Sequence, residues 1–373
     1  MKILLFLLLL IPFKVNALET SAKSSILIEY NTGTILSEEN KDLELPMASM
    51  TKMMTLLITM EYIEDGKIKL NDMVTISKRA SSMGGSQAYL EEGSKMSLDQ
   101  LLKALCIASA NDAAVAIAEY IGGSVEKFVE MMNDKVMELD LKHTSFKNVH
   151  GLDEEGHYSS AHDMAFIAKE LISHPLILEY SSIYEDYVKH PNGVNTWIVN
   201  TNKLINYYEG LDGLKTGYTS NSGYCITATA KRGNMRLISV VMGEENNKIR
   251  NEDTISLLNY GFSNYKLINV IGNESRLGSI NVLFGDKESV KLKLVDSALD
   301  LIGNTEKNNY SYSVNLNKVK APVKVGDIVG SVDIYSNDIK INTIDLTVNE
   351  DIKKANIFKL YLRNLRGLLK GSF

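Results

Sequence analysis

Three short motifs stand in one order along the chain, with wide gaps between them: Ser49-Met50-Thr51-Lys52, then Ser109-Ala110-Asn111, then Lys215-Thr216-Gly217. Alone, each is a weak signal. Ser263-Asn264-Tyr265-Lys266 also fits the first pattern and Ser313-Val314-Asn315 the second, but both follow the Lys-Thr-Gly, in the wrong order. The ordered triple is specific. It constrains the fold because its members sit on different local structures that must converge: a helix start, a turn between two helices, and a strand.

Local patterns place them there. Met50 to about Asp65 has no internal Gly or Pro, carries Met50, Met53, Met54, Leu57, Ile58 and Tyr62, and stops at Gly66. That predicts a helix. Ser97 with Gln100 has the form of a capping box, opening a helix through Leu101, Leu102, Leu105 and Cys106. Asn111 leads into a second apolar helix that ends at Gly122-Gly123. Near the N-terminus, residues 25–30, a turn at Asn31-Thr32-Gly33 and residues 34–36 read as a hairpin. Beyond Lys215, residues 224–230, a turn at 231–234 and residues 235–243 read as two more strands. The expected class is α+β: a helical cluster with a mainly antiparallel sheet over residues 24–262, its strands drawn from both ends.

From about Tyr265 the texture changes. Short alternating runs separated by Gly, Asn and Asp predict a small all-β domain over residues 265–349, with no catalytic constellation in it. Residues 351–373 differ again. Phe358, Tyr361, Leu362, Leu365, Leu368 and Leu369 follow helical spacing. Lys353, Lys354, Lys359, Arg363, Arg366 and Lys370 supply positive charge against Asp351 alone. This is the pattern of an amphipathic helix lying on an anionic membrane surface. The alternative is a helix that docks on its own domain.

The chain has 373 residues, enough for two domains with sizeable cores. Its formal net charge of −6 does not suggest a nucleic-acid partner. At the N-terminus, Lys2, the apolar run Ile3 to Phe13 and Val15-Asn16-Ala17 predict a secretory signal over residues 1–17, cleaved after Ala17. Cleavage would remove Lys2 and Lys14 and no acid. The apolar run is short for a span of about 20 residues, though an uncleaved anchor is the alternative. The two cysteines, Cys106 and Cys225, sit in apolar runs and read as buried thiols.

The motif residues describe a nucleophile. Ser49 at a helix start meets orphan N–H groups and the positive dipole end, which favour developing negative charge. Lys52, one turn on, can take its proton, provided desolvation or a second cation lowers the lysine pKa. Lys215 supplies that cation if its strand runs past the site. Ser109 can relay a proton to the leaving group, and Asn111 can hold a backbone amide of the substrate. Gly217 lets a substrate backbone approach its strand. Thr216 and Lys215 suit a carboxylate. Singly, each residue has a bland reading: Ser49 as a plain N-cap, Lys52 as a surface lysine, Lys215 as an exposed strand end.

At these residues the chain resembles the penicillin-binding serine hydrolases, and among them the low-molecular-mass D-alanyl-D-alanine carboxypeptidases. The similarity extends through Pro46 to Thr55, Ala108 to Ala114, Asn148 to Asp153, Gly156 to Ala161, and Asp212 to Thr219. It covers roughly residues 24–350. The resemblance implies a penicillin-binding serine hydrolase-like domain followed by the small β domain. It implies that Ser49 is acylated, Lys52 accepts its proton, Ser109 shuttles it, and Lys215 binds the terminal carboxylate. It further implies an oxyanion hole from the backbone N–H groups of Ser49 and Tyr218. The implied reaction removes the terminal D-alanine from peptidoglycan stem pentapeptides without a cofactor, and β-lactams acylate the same serine. An extracytoplasmic place, peripheral on the outer face of the cytoplasmic membrane, follows from the signal and the basic tail.

Other readings use overlapping residues. A D,D-endopeptidase or transpeptidase needs the same set. A serine β-lactamase needs an efficient deacylating carboxylate, and between Ser109 and Lys215 the nearest approach is the poor Glu170-Leu171-Ile172-Ser173. A non-enzymatic β-lactam sensor is at odds with an intact nucleophile, base and shuttle. A metallopeptidase would draw on His150, His157 and His162 with Asp153 and Asp163, but there is no His-Glu-x-x-His and the spacing fits no common zinc pattern. No metal site is therefore expected.

Overall fold

The computed structural model describes residues 20–271 and 277–370. The expected secretory signal, residues 1–17, lies outside them. The chain divides into two compact units between Asn264 and Tyr265.

The first unit is built on a five-stranded antiparallel sheet. Its strands are β1 (Ser24–Glu29), β2 (Ile35–Glu39), β3 (Leu211–Thr219), β4 (Gly223–Arg232) and β5 (Met235–Glu244), in spatial order β2-β1-β5-β4-β3. The N-terminal hairpin thus pairs with a strand from the far end of the unit: Ile26 faces Val240 and Ile28 faces Ile238. Every residue of β1 is buried, so the pattern is unbroken rather than alternating. Such a strand is covered on both faces. The second strand of the hairpin runs on to Glu39, beyond the apolar run that marks it in the sequence, because Ser37, Glu38 and Glu39 pair with Leu27, Ile26 and Ser25.

The helical cluster comprises α1 (Lys52–Glu64), α2 (Leu98–Ile107), α3 (Asn111–Gly122), α4 (Val125–Glu138) and α5 (Ala161–Ser173), and α6 (Asn247–Asn264) follows β5. Helix α1 is buried almost all round from Lys52 to Met60, the mark of a core helix rather than an amphipathic surface one. Apolar side chains of α1, α2, α3 and α5 join the sheet in one core that includes Met54, Leu57, Leu102, Ile117, Ile167 and Val240. The capping box closes on one arm only. Ser97 Oγ accepts the Gln100 N–H at 3.3 Å, while the Gln100 side chain turns to Asp99 and to the Lys189 N–H. Both cysteines are buried free thiols.

The second unit has a six-stranded sheet. In spatial order its strands are Tyr310–Leu316, Gly330–Ser336, Ile339–Val348, Ser289–Leu294, Ser279–Leu283 and Val319–Lys320. A separate pair joins Tyr265–Ile271 to Ala298–Gly303. The last helix occupies Ile357–Lys370 and starts later than Asp351. Residues before it are held extended: Ile352 bridges to Val323 and is buried, and the Ala355 N–H reaches the Phe284 carbonyl at 2.8 Å.

Candidate active site

Ser49 sits in a 3-10 turn, Ala48–Thr51, that runs into α1 at Lys52. The predicted α-helix start at Met50 is tightened because the Met50 N–H bonds back to the Met47 carbonyl and the Thr51 hydroxyl donates to the Ala48 carbonyl. The cap position of this turn falls on Met47, not on Ser49, and carries no side-chain capping bond. The turn is squeezed between two glycines. A Cβ on Gly217 would lie 2.8 Å from the Met47 oxygen and 3.1 Å from the Ser49 nitrogen, and one on Gly151 would lie 1.9 Å from the Ala48 oxygen. Ala48 itself has φ +46°, and Ser109 has φ +61°. Non-glycine residues held there store strain, which clusters at functional sites.

Lys52 is fully buried, and its Nζ lies 2.8 Å from Ser49 Oγ. It donates to the His150 carbonyl at 2.6 Å, which fixes its direction. Burial, and next the charge of Lys215, hold its pKa well below the usual lysine range, with Asp112 opposing. That lowering favours the neutral amine, the form able to accept the serine proton. Lys215, on β3, is also buried and donates to the Thr216 carbonyl at 3.1 Å. Burial brings its pKa down to about 7; the Cys106 thiol pulls upward and Arg250 pushes further down.

A cavity of about 290 Å³ opens over the serine, lined by Ser49, Ser109, Thr216, Gly217 and Tyr218, together with Ser86, Thr201, Tyr224, Asn247 and Arg250. Of the predicted residues, Ser49, Ser109, Thr216, Gly217 and Tyr218 therefore converge on one cavity, and Lys52 joins them through its contact with Ser49. Ser109 Oγ is buried without a hydrogen-bond partner, as a group awaiting a ligand would be. Asn111 is placed differently from the rest. Its amide donates to the Gly84 carbonyl at 2.7 Å, and its backbone N–H to the Ser86 carbonyl. Next to it, Asp112 accepts the Ala88 and Leu90 N–H groups, so the pair ties down the loop that carries Ser86.

Ser86, Thr201, Tyr224, Asn247 and Arg250 carry no local sequence signature. Arg250 adds a further basic group to the site, beside Lys215. It is buried, which lowers its pKa, and its Nε and one Nη are held by Asn251. Tyr224 stacks against Tyr218 with centroids 4.3 Å apart.

His150, His157 and His162 are each tied into local hydrogen bonds. His157 Nδ1 accepts the Lys147 N–H, so its Nε2–H is left to donate to Thr51 Oγ1 at 2.7 Å. Burial lowers its pKa, and that of His150, to about 4. His150 Nδ1 accepts the Leu152 N–H, and His162 turns to Asp163. Among the described residues no three His, Cys, Asp or Glu side chains group as a metal site would.

A buried lysine against a serine, with a second hydroxyl and the basic side chains of Lys215 and Arg250 close by, is the arrangement that serine acyl transfer needs. Comparison with known proteins agrees. Residues 11–246 match the D-alanyl-D-alanine carboxypeptidase family, and residues 265–354 match the C-terminal domain of penicillin-binding protein 5. The chain is 41% identical over 354 residues to D-alanyl-D-alanine carboxypeptidase DacF of Bacillus subtilis, an alignment covering 94% of this chain and 91% of that protein. It is similar to the crystal structure of penicillin-binding protein 5 from Haemophilus influenzae, at TM-score 0.73 and 34% identity over 90% of this chain and 98% of that one. It is also similar to penicillin-binding protein D2 from Listeria monocytogenes in its ampicillin-bound form, at TM-score 0.59 and 30% identity over 66% of this chain and 99% of that one. The chain belongs to the D-alanyl-D-alanine carboxypeptidase family. It is a serine peptidase of that family, with the family's acyl-enzyme chemistry and penicillin binding.

Proposed function

We propose that the enzyme removes the terminal D-alanine from peptidoglycan stem pentapeptides, with Ser49 as the residue acylated. The observation that carries this reading is the buried Lys52 amine 2.8 Å from Ser49 Oγ. Neutral Lys52 takes the serine proton as Oγ attacks the carbonyl between the two D-alanines. The Ser49 and Tyr218 N–H groups hold the oxyanion. Ser109 passes the proton to the departing amine of D-alanine. Water then hydrolyses the ester. Lys215 and Thr216, with Arg250 nearby, take the free terminal carboxylate, whose charge restores the full ammonium on Lys215. That cationic pocket favours a free C-terminus, the mark of a carboxypeptidase substrate, over a cross-linked one. Asn111, with its amide nitrogen on the Gly84 carbonyl, keeps its side-chain oxygen for a substrate amide, and Gly217 leaves room for the substrate backbone. β-Lactams acylate the same serine.

The catalytic unit spans residues 24–262 and the small β unit 265–349. Residues 1–17 direct secretion, and the terminal helix holds the enzyme on the outer face of the cytoplasmic membrane. Supporting this, Ile357, Phe358 and Tyr361 of that helix are each more than half exposed, so these apolar side chains are not spent on packing. Among the described residues no helix is long and apolar enough to cross a membrane. Incubation with a peptide ending in D-Ala-D-Ala should release free D-alanine, and Ser49→Ala should abolish the release. Undiminished release by Ser49→Ala would overturn the assignment.

A further inference from the structure

The chain's single tryptophan, Trp197, is 59% exposed. It lies in a hairpin of Glu185–Lys189 and Asn195–Val199, directly opposite Tyr187, which is 51% exposed. Opposite residues of an antiparallel pair share a face. Two aromatic rings therefore stand side by side towards solvent, a pairing that offers a binding surface.

The hairpin is a rigid mount. Its other face buries Val188 and Ile198 in the core of the unit. Gln100 Oε1 accepts the Lys189 N–H at 2.8 Å, Lys103 pairs with Asp186 at 3.1 Å, and Asn192 donates to Glu91 at 2.9 Å. At the exit, Asn200 donates to the Ser181 and Ile183 carbonyls, and the Thr201 N–H reaches the Ile107 carbonyl. A hairpin backbone held this firmly loses little freedom when its face binds a ligand.

The geometry points to a glycan-binding platform: Tyr187 and Trp197 stack against the amino-sugar strand to which the stem peptide is attached. This rests on peptidoglycan as the substrate. Two observations favour a sugar. On the same face as the rings lie the Lys189–Asn195 and Glu185–Val199 pairs, so a carboxylate and an amide flank the aromatics, as hydroxyl and acetamido groups require. Charges of both signs there do not suit an anionic lipid surface. The second observation is reach. Trp197 stands four residues from Thr201, a wall of the catalytic cavity, and at about 3.3 Å per strand residue that is at most about 13 Å. Four extended residues of a stem peptide, from sugar to scissile bond, cover the same span.

Trp197 is also the reporter. Titrating the purified full chain with peptide-free glycan oligomers of β-linked N-acetyl amino sugars should shift its fluorescence saturably, and Tyr187→Ala should weaken that response. Trp197→Ala should lower kcat/KM by about tenfold on glycan-linked pentapeptide, the size of an interface anchor. It should leave a free short D-Ala-D-Ala peptide unaffected, and Trp197→Phe should restore most of the loss. An absent glycan response overturns the platform, as does equal loss on both substrates. A shift with anionic vesicles but not with glycan would assign the rings to the membrane instead. The fluorescence arm needs no turnover, so it stands apart from any failure of the carboxypeptidase reading.

Discussion

Replacing Gly217 by alanine should slow acylation much more than it loosens the fold. The new Cβ would lie 2.8 Å from the Met47 oxygen, 3.0 Å from Ala48 Cβ and 3.1 Å from the Ser49 nitrogen. None of these atoms is the end of a flexible side chain. All belong to the turn that carries the nucleophile. Ordinary carbon contacts begin near 3.5 Å, so β3 and the turn must part by roughly 0.5 Å. Overpacking of this kind costs about 1–3 kcal/mol of stability. Because a misplacement of about 1 Å costs on the order of 100-fold in rate, a half-ångström shift should slow acylation by roughly 10-fold or somewhat more. Two comparisons isolate the cause. Gly66 has φ +69° and nothing within 4 Å of a Cβ, so Gly66→Ala should cost about 1 kcal/mol of stability and leave the rate alone. Gly151→Ala places a Cβ 1.9 Å from the Ala48 oxygen at φ +92° and should not give a normally folded enzyme. The assay is stopped-flow acylation by a fluorescent penicillin beside thermal unfolding. Wild-type acylation by Gly217→Ala, or an equal rate loss in Gly66→Ala, would refute the argument.

Three further outcomes follow. Lys215→Ala should lose about 2–4 kcal/mol in kcat/KM on peptides with a free C-terminus, because a charge-assisted contact in a water-poor site is removed; equal loss on the carboxyl-amidated peptide would contradict that role. Folding favours neutral His150 and His157, whose pKa values fall from 6.5 to about 4. The stability they contribute is complete above pH 6.5 and is lost as pH falls towards 4; denaturant titration should show this, with a shallower fall in His157→Gln, and an unchanged slope would count against it. Truncation after Asn356, which keeps the buried Ile352 in place, should abolish binding to anionic vesicles while peptide hydrolysis persists; undiminished vesicle binding would rule out the anchor.

What could be read from the sequence divides by range. Helices α1 to α3 and strands β4 and β5 announce themselves through periodicity and punctuation, and the motif triple locates Ser49, Lys52, Ser109 and Lys215 before any fold is known. Short-range signals end where partners decide. Strand β2 extends to Glu39 only because β1 offers a ladder. Gln100 has the spacing to complete a capping box, but the Lys189 N–H claims its side-chain oxygen. Ala298–Gly303 pairs with Tyr265–Ile271 although Asp300 interrupts its apolar run. Thr201 and Arg250 reach the cavity from a loop and from α6, and nothing beside either residue in the chain marks it. The left-handed backbone at Ala48 and Ser109 is likewise invisible, since neither residue type favours it.

The most direct measurement of the central claim is where, and how fast, a β-lactam attaches. After incubation with penicillin, digestion and mass mapping should place one acyl adduct on the peptide containing Ser49. Lys52→Ala should slow its formation by about 10²–10⁴-fold, the usual loss when a general base is removed. An adduct on Ser263 or any other residue would contradict the account, as would wild-type acylation by Lys52→Ala.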